Sequence, residues 1–179
     1  MARDSLLVRR HLASSRVHID GYENPPDYEP VSFLAHQFDI YVRKTSFANL
    51  LDHRVTERGF EMHLLPGALF EEGTDRFKPQ AAQILALIGR ACKYLPHPMR
   101  VEAYPDVFFV RQEGIGSPEE LALRRAAAVC GSLRAESDIA ASRLSLGAAV
   151  QASDAFLANA GKRQVTIVVL KPRGVERTL

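Results

Sequence analysis

Arg100-Val-Glu-Ala-Tyr-Pro-Asp106 and, further along, Leu121-Ala-Leu-Arg-Arg-Ala126 decide how this chain is read. Met99, Val101 and Ala103 alternate with polar neighbours, the period-two pattern of a strand with one apolar face. Pro105 and Asp106 close that strand. The second stretch opens a helix. Ser117 is a cap, Pro118 takes the first position, where a missing N–H costs nothing, and Glu119 and Glu120 sit at the positive end of the helix dipole. Leu121, Ala128, Val129 and Leu133 supply its apolar side to about Ala135. Strand and helix packed side by side bring Asp106 and one arginine to a common rim. Helix neighbours do not share a face, so only one of Arg124 and Arg125 is expected at the rim. An acid and a guanidinium held together suit a small zwitterionic ligand: the carboxylate takes an ammonium, and the guanidinium takes a carboxylate as a bidentate pair.

Working outward, the pattern continues on both sides. Ala81, Ile84, Leu85, Ile88, Ala91, Cys92 and Leu95 form a wide apolar stripe on a helix from Pro79 to Tyr94, stopped by Pro96 and Pro98. Phe60, Met62 and Leu64 make one face of a strand over Arg54–Leu65, with Glu61 and His63 expected on an exposed polar face and Gly59 at a turn or bulge. Leu34, Phe38, Tyr41 or Val42, Leu50 and Leu51 recur at helical spacing from Val31 to Asp52. Downstream, Val107–Gly116 is a connection and Arg143–Gly147 a short strand. Residues 148–161 read as a loop, with room for one helical turn. Gln164–Leu170 is continuous and β-branched, as a central strand is. The order is helix, strand, helix, strand, helix, strand, strand. That is an α+β two-layer sandwich, a mixed β-sheet with helices on one face. Its parts are an extended segment over 1–30, punctuated by Asn24-Pro-Pro-Asp-Tyr-Glu-Pro30, a packing helix over 31–53, the domain over 54–171 and a polar tail over 172–179.

Bulk properties narrow the function. The chain has 179 residues, 46% hydrophobic and 25% charged, enough for one domain with a real core and an extension. A formal charge of +2 makes no electrostatic case for nucleic acid, and Phe108 and Phe109 beside the single basic Arg111 are not an RNA-binding pattern. Cys92 and Cys130 fall within helices. They read as buried thiols, the sharper alternative being a disulfide between neighbouring helices. No metal-ligand spacing and no nucleophile-with-base arrangement is present, so neither a metal, a cofactor nor an enzyme activity is expected. No apolar run reaches the roughly 18–20 residues that span a bilayer, and Met1–Arg10 lacks the apolar core of a secretory signal.

Several segments together resemble one family, the OmpA-like peptidoglycan-binding domains, and within it the C-terminal domains of MotB-type flagellar stator proteins. Leu69-Phe-Glu-Glu-Gly-Thr-Asp-Arg-Phe-Lys-Pro-Gln-Ala81 resembles the family's Leu-Phe, Gly-Ser/Thr and Pro-x-Ala segment. Leu95-Pro-His-Pro-Met-Arg-Val-Glu-Ala-Tyr-Pro-Asp106 resembles the segment ending in Glu-Gly-His-Thr-Asp. Glu120-Leu-Ala-Leu-Arg-Arg-Ala126 resembles Glu-Leu-Ser-x-x-Arg-Ala. Ser142-Arg-Leu-Ser-Leu-Gly147 resembles the strand ending in Gly-x-Gly, and Lys162-Arg-Gln-Val-Thr-Ile167 resembles Asn-Arg-Arg-Val-x-Ile. The match runs in order over residues 54–171. The resemblance implies a non-catalytic domain whose Asp106 and Arg125 bind the diaminopimelate of the peptidoglycan stem peptide, with Arg163 and Tyr104 at the same rim. The pattern departs at Ala103-Tyr104-Pro105, which replaces Gly-His-Thr, and at Lys162, Gln164 and Ala149.

The resemblance further implies a periplasmic, cell-wall- or membrane-associated place in an envelope machine, a motor or a secretion system. It also implies homo-oligomerisation and protein partners met through residues 1–50. Two alternatives stand beside it. One is a structural subunit that holds protein without binding cell wall, its Asp106–Arg125 pair an inherited salt bridge. The other is a cytoplasmic relative, since no export signal is visible.

Overall fold

Alternating side chains give the sheet its two faces, and the helices choose between them. The computed structural model describes residues 30–106, 109–111, 114–148 and 164–171. The expectations for the N-terminal extension, for the 148–161 loop beyond Ala148, for Arg163 and for the tail fall outside those residues. Helix α1 covers Pro30–Val42, followed by strand β1 (Leu51–Val55), strand β2 (Gly59–Leu64), helix α2 (Ala81–Cys92), strand β3 (Met99–Ala103), helix α3 (Pro118–Ser137), strand β4 (Leu144–Ala148) and strand β5 (Val165–Leu170). The strands lie in the order β1-β2-β5-β3-β4. β5 pairs antiparallel with both β2 and β3, and β3 pairs parallel with β4 across the α3 crossover. The sheet is therefore mixed and the architecture α+β, in two layers.

One sheet face carries Phe60, Met62, Leu64, Met99, Val101, Ala103, Val165, Ile167 and Val169, all buried in a single core. Against it lie Leu34 and Phe38 of α1, Ile84, Leu85 and Ile88 of α2, and Ala122, Ala126, Val129 and Leu133 of α3. Each large aliphatic or aromatic side chain buried there contributes about 1.5–3 kcal/mol relative to exposure. Phe38 meets Phe60 edge to face at 5.5 Å between ring centres, which fixes α1 on β2.

The helix read from Val31 to Asp52 is shorter than its periodicity implied. It ends at Val42, where Thr45 donates from both its amide and its hydroxyl to the Val42 carbonyl, at 2.9 and 2.7 Å. A hydroxyl close by offers the chain a turn in place of another helical bond. After a short 3₁₀ turn, Leu51–Val55 becomes a strand pairing antiparallel with β2, Leu51 opposite Leu64 and Val55 opposite Phe60. Leu50 and Leu51 were counted in the helical stripe, and the pairing with β2 puts Leu51 in a strand instead.

A second correction concerns His63. It lies on the sheet face away from the helices as expected, but it is fully buried, with Glu61 and Glu102 nearly so. That outer face is a buried polar layer.

One sheet edge positions the candidate site. Leu64, Val165, Ala103 and Ala148 are aligned across four strands, so the chain after β2, after β3 and before β5 emerges at one rim.

Candidate ligand-binding rim

The start of α3 is set by its cap. The Ser117 hydroxyl accepts from the Glu120 amide at 3.1 Å, and Pro118 opens the helix. Starting there, the helix carries Arg125 inward and Arg124 outward. Arg124 is exposed and binds Glu120 at 2.8 Å and the Gly114 carbonyl. Arg125 is only 2% exposed, and it is the largest fully buried side chain among the described residues.

The Arg125 guanidinium meets two backbone carbonyls and one carboxylate. Its Nε donates to the Thr74 carbonyl at 2.8 Å, and one Nη to the Glu71 carbonyl at 3.5 Å. Both Nη atoms reach one oxygen of Asp106, Oδ2, at 3.4 and 3.5 Å. Its flat cation lies over the Phe70 ring, 5.4 Å from the centroid. Burial pulls the Arg125 pKa down, and the Asp106 charge and hydrogen bond oppose that. An arginine so placed keeps its proton at neutral pH. The sequence thus predicted the pairing of Asp106 with Arg125, and the structure brings these two together.

The loop that supplies those carbonyls is itself braced. Phe70 and Phe77 bridge as strand partners and stack with ring centres 4.8 Å apart. Glu71 donates its amide to Arg76 O at 3.0 Å, and its carboxylate takes the Arg76 guanidinium at 3.0 Å. Gln164 ties the rim together: its amide donates to Leu64 O, its carbonyl accepts from Tyr104 N, and its Oε1 accepts from Phe70 N at 3.3 Å. Gln164 stood out in the sequence only as a departure from a family pattern. The carbonyls of Glu71 and Thr74 had no sequence signal, since every residue has one.

Tyr104 leaves β3 on the outer-face side. Its hydroxyl lies 3.1 Å from Thr166 Oγ1, which lies 2.9 Å from His63 Nδ1. His63 Nε2 in turn faces Glu61 at 3.4 Å. Arg58 binds Glu61 at 3.0 Å and grips Glu102 with two bonds of 2.9 and 3.2 Å, while Arg54 and Arg100 add 3.3 Å to Glu61 and 3.0 Å to Glu102. Burial raises the Glu61 pKa, but the hydrogen bonds from Arg58 and Thr56 outweigh it and hold the carboxyl below its ordinary value.

Among the described residues no cluster of His, Cys, Asp and Glu is arranged to hold a metal, and no helix is long and apolar enough to cross a membrane. Both cysteines are free thiols, so the disulfide alternative does not apply. Burial pushes the Cys92 thiol up to about 12, which makes it a packing group rather than a nucleophile.

No family model matches this sequence, and no curated protein does. Solved structures do. A MotB-like protein from Desulfovibrio vulgaris superposes with a TM-score of 0.64 at 15% identity, over 80% of this chain and 94% of that one. The cell wall anchor of the T6SS from Pseudomonas aeruginosa gives 0.60 at 20% identity, over 80% and 98%. The periplasmic domain of Helicobacter pylori MotB gives 0.59 at 18%, over 69% and 87%. The chain shares the fold of these MotB-like and cell wall anchor domains. At such identities the likeness is one of fold, and function has to be argued from the site.

Proposed function

We propose that this chain is a non-catalytic anchoring domain of a bacterial cell-envelope assembly, and that its Asp106–Arg125 rim takes the diaminopimelate of the peptidoglycan stem peptide. The observation that carries the proposal is the meeting of Asp106 with Arg125 at 3.4 Å, at a rim where the β2, β3 and β5 ends converge. The fold shared with a cell wall anchor and with MotB periplasmic domains supports the same reading and a place on the periplasmic side. Arg163, next to the rim residue Gln164 in sequence, is proposed as a supporting contact. Protein partners and self-association are assigned to residues 1–50, where α1 shows Tyr41 to solvent.

Sedimentation with purified peptidoglycan tests this. The wild type is expected to co-sediment. Asp106→Ala and Asp106→Asn, checked for folding by circular dichroism, are expected in the supernatant. A wild type that stays in the supernatant sinks the proposal. One observation favours a second reading, an assembly module that holds protein without cell wall: the Arg125 side chain is 2% exposed and bound on three sides by its own protein. In that case Tyr41→Ser disrupts self-association while Asp106→Ala changes nothing.

A further inference from the structure

Away from the rim, the helical layer carries a groove. Ile84, Leu85 and Ile88 turn α2 onto the sheet, yet its outward face is apolar too. Ala82, Ala86 and Leu87, with Phe47 from the turn after α1, floor a groove of about 490 Å³, within the ~300–1,000 Å³ that ligand sites occupy. The Gln80 side chain donates to Gly67 O and the Leu65 amide to Leu50 O, which brings the turn after α1 to the Ala82 end of the groove. Arg90 and Glu136 stand at the other end, where Gly89 lies against Ser137. Glu136 accepts from the Ser132 hydroxyl at 3.2 Å. Lys44, next to the lining residue Thr45, and Arg90 have no ion pair among the described residues, whereas their neighbours Arg43 and Lys93 are taken by Asp39 and Asp138. The end of α2 favours a cation at Arg90 without using its N–H donors. An apolar floor with a cation at each end suits an extended segment that carries an aromatic side chain between acids.

The chain has such a segment. Residues 1–29 precede α1 and lie outside the described residues. From Val17 to Glu29 they include Asp20, Glu23, Asp27 and Glu29 and no lysine or arginine, with Tyr22 between the first two acids. Met1–Arg16 has the opposite balance, Arg3, Arg9, Arg10 and Arg16 against Asp4. Reach selects the part that fits. α1 has 13 residues and is about 20 Å long. Extended chain from Tyr22 to Pro30 covers about 26–29 Å, enough to run back from the start of α1 to the turn at its end. Tyr28 is too close to the helix to do so.

We propose that the groove takes this chain's own acidic segment, with Tyr22 on the floor formed by Phe47, Ala82 and Ala86, Glu23 toward Lys44 and Asp20 toward Arg90. The ring supplies the buried apolar area, and the two acids set the direction of the segment, the Arg90 guanidinium taking its carboxylate through paired N–H donors. Docking ties the extension to the helical layer and fixes where Met1–Arg16 leaves the domain. The proposal is independent of what the rim binds.

Photo-crosslinking of the full chain tests it. Tyr22 is replaced by p-benzoylphenylalanine, and the crosslinked residues are read by mass spectrometry after digestion. Crosslinks within one chain to Phe47 or to residues 82–87 are expected, at a yield independent of protein concentration. Arg90 is exposed, so Arg90→Asp leaves the core untouched. Arg90→Asp and Asp20→Arg are each expected to lower the yield by about threefold, the scale of an exposed ion pair. Together they are expected to restore it to within about twofold of the unswapped chain, because the charges are exchanged rather than lost. A general loss of structure is not repaired by a second substitution. Four results overturn the proposal: crosslinks that fall outside the groove, no crosslink at all, groove crosslinks formed only between chains, which make a second copy the occupant, and a double variant that stays at the level of the single ones.

Discussion

Two sets of charges are held at neighbouring places in this molecule with their exposures reversed. On the outer sheet face the acids are buried, Glu61 at 4% and Glu102 at 10% side-chain exposure, and their arginines reach water, Arg58 at 48%, Arg54 at 53% and Arg100 at 50%. At the rim the arginine is buried and the acid reaches water. The outer layer has closed on itself: each carboxylate is answered by more than one donor, and the arginines keep half their surface hydrated. That arrangement avoids most of the desolvation cost of burying charge and fits a structural role. The rim is asymmetric, with its cation held by carbonyls and its anion turned toward solvent.

Four substitutions can break or sharpen that contrast. The largest effect is expected for Arg125→Ala. It removes a buried side chain that joins α3 to Thr74, Glu71 and Asp106, and a loss of about 3–5 kcal/mol in urea unfolding is expected, as for breaking a buried pair from one side. A loss below ~1 kcal/mol would mean that the guanidinium braces nothing.

Glu61→Gln should cost less, about 1–3 kcal/mol, because its arginines can turn to water when it is neutralised. Its pH dependence is the sharper measurement. The folded pKa of Glu61 lies below the ordinary 4.5, so its contribution is fully present above 4.5 and is lost as pH falls through the depressed folded value. Urea midpoints measured downward from pH 5 should therefore fall more steeply for wild type than for Glu61→Gln. Parallel curves would remove Glu61 from the network.

Tyr104→Phe deletes one bond to Thr166 and should lose about 0.5–1.5 kcal/mol. Because that hydroxyl belongs to the outer layer, retention on peptidoglycan is expected to stay at the wild-type level. A drop in retention without a drop in stability would move Tyr104 into the ligand site. The smallest effect is expected for Arg124→Ala, whose exposed partner Glu120 is on the same helix; both the unfolding midpoint and retention should match wild type within error.

Much of this was legible in the sequence. The Ser117-Pro118 start of α3 could be read from its cap. Period-two alternation placed β2 and β3, and the β-branched run placed β5 in the middle of the sheet. Asp106 and Arg125 were paired through the family resemblance, and the structure places them 3.4 Å apart. What failed did so for a stated reason. Leu50 and Leu51 extended the helical stripe by their apolar character alone, and only the ladder with β2 shows that the strand begins at Leu51. His63 looked like a surface histidine because polar residues on an alternating strand usually face water; here that face is buried and Thr166 and Glu61 meet it.

The sequence by itself determined the layers and the start of α3, because those depend on spacing and local capping, and its family resemblance supplied the two rim residues. The tertiary structure alone decided which of the two can be touched. Exposure is a property of neighbours distant along the chain, here the carbonyls of Glu71 and Thr74 closing over a guanidinium carried on α3. No local pattern encodes that closure.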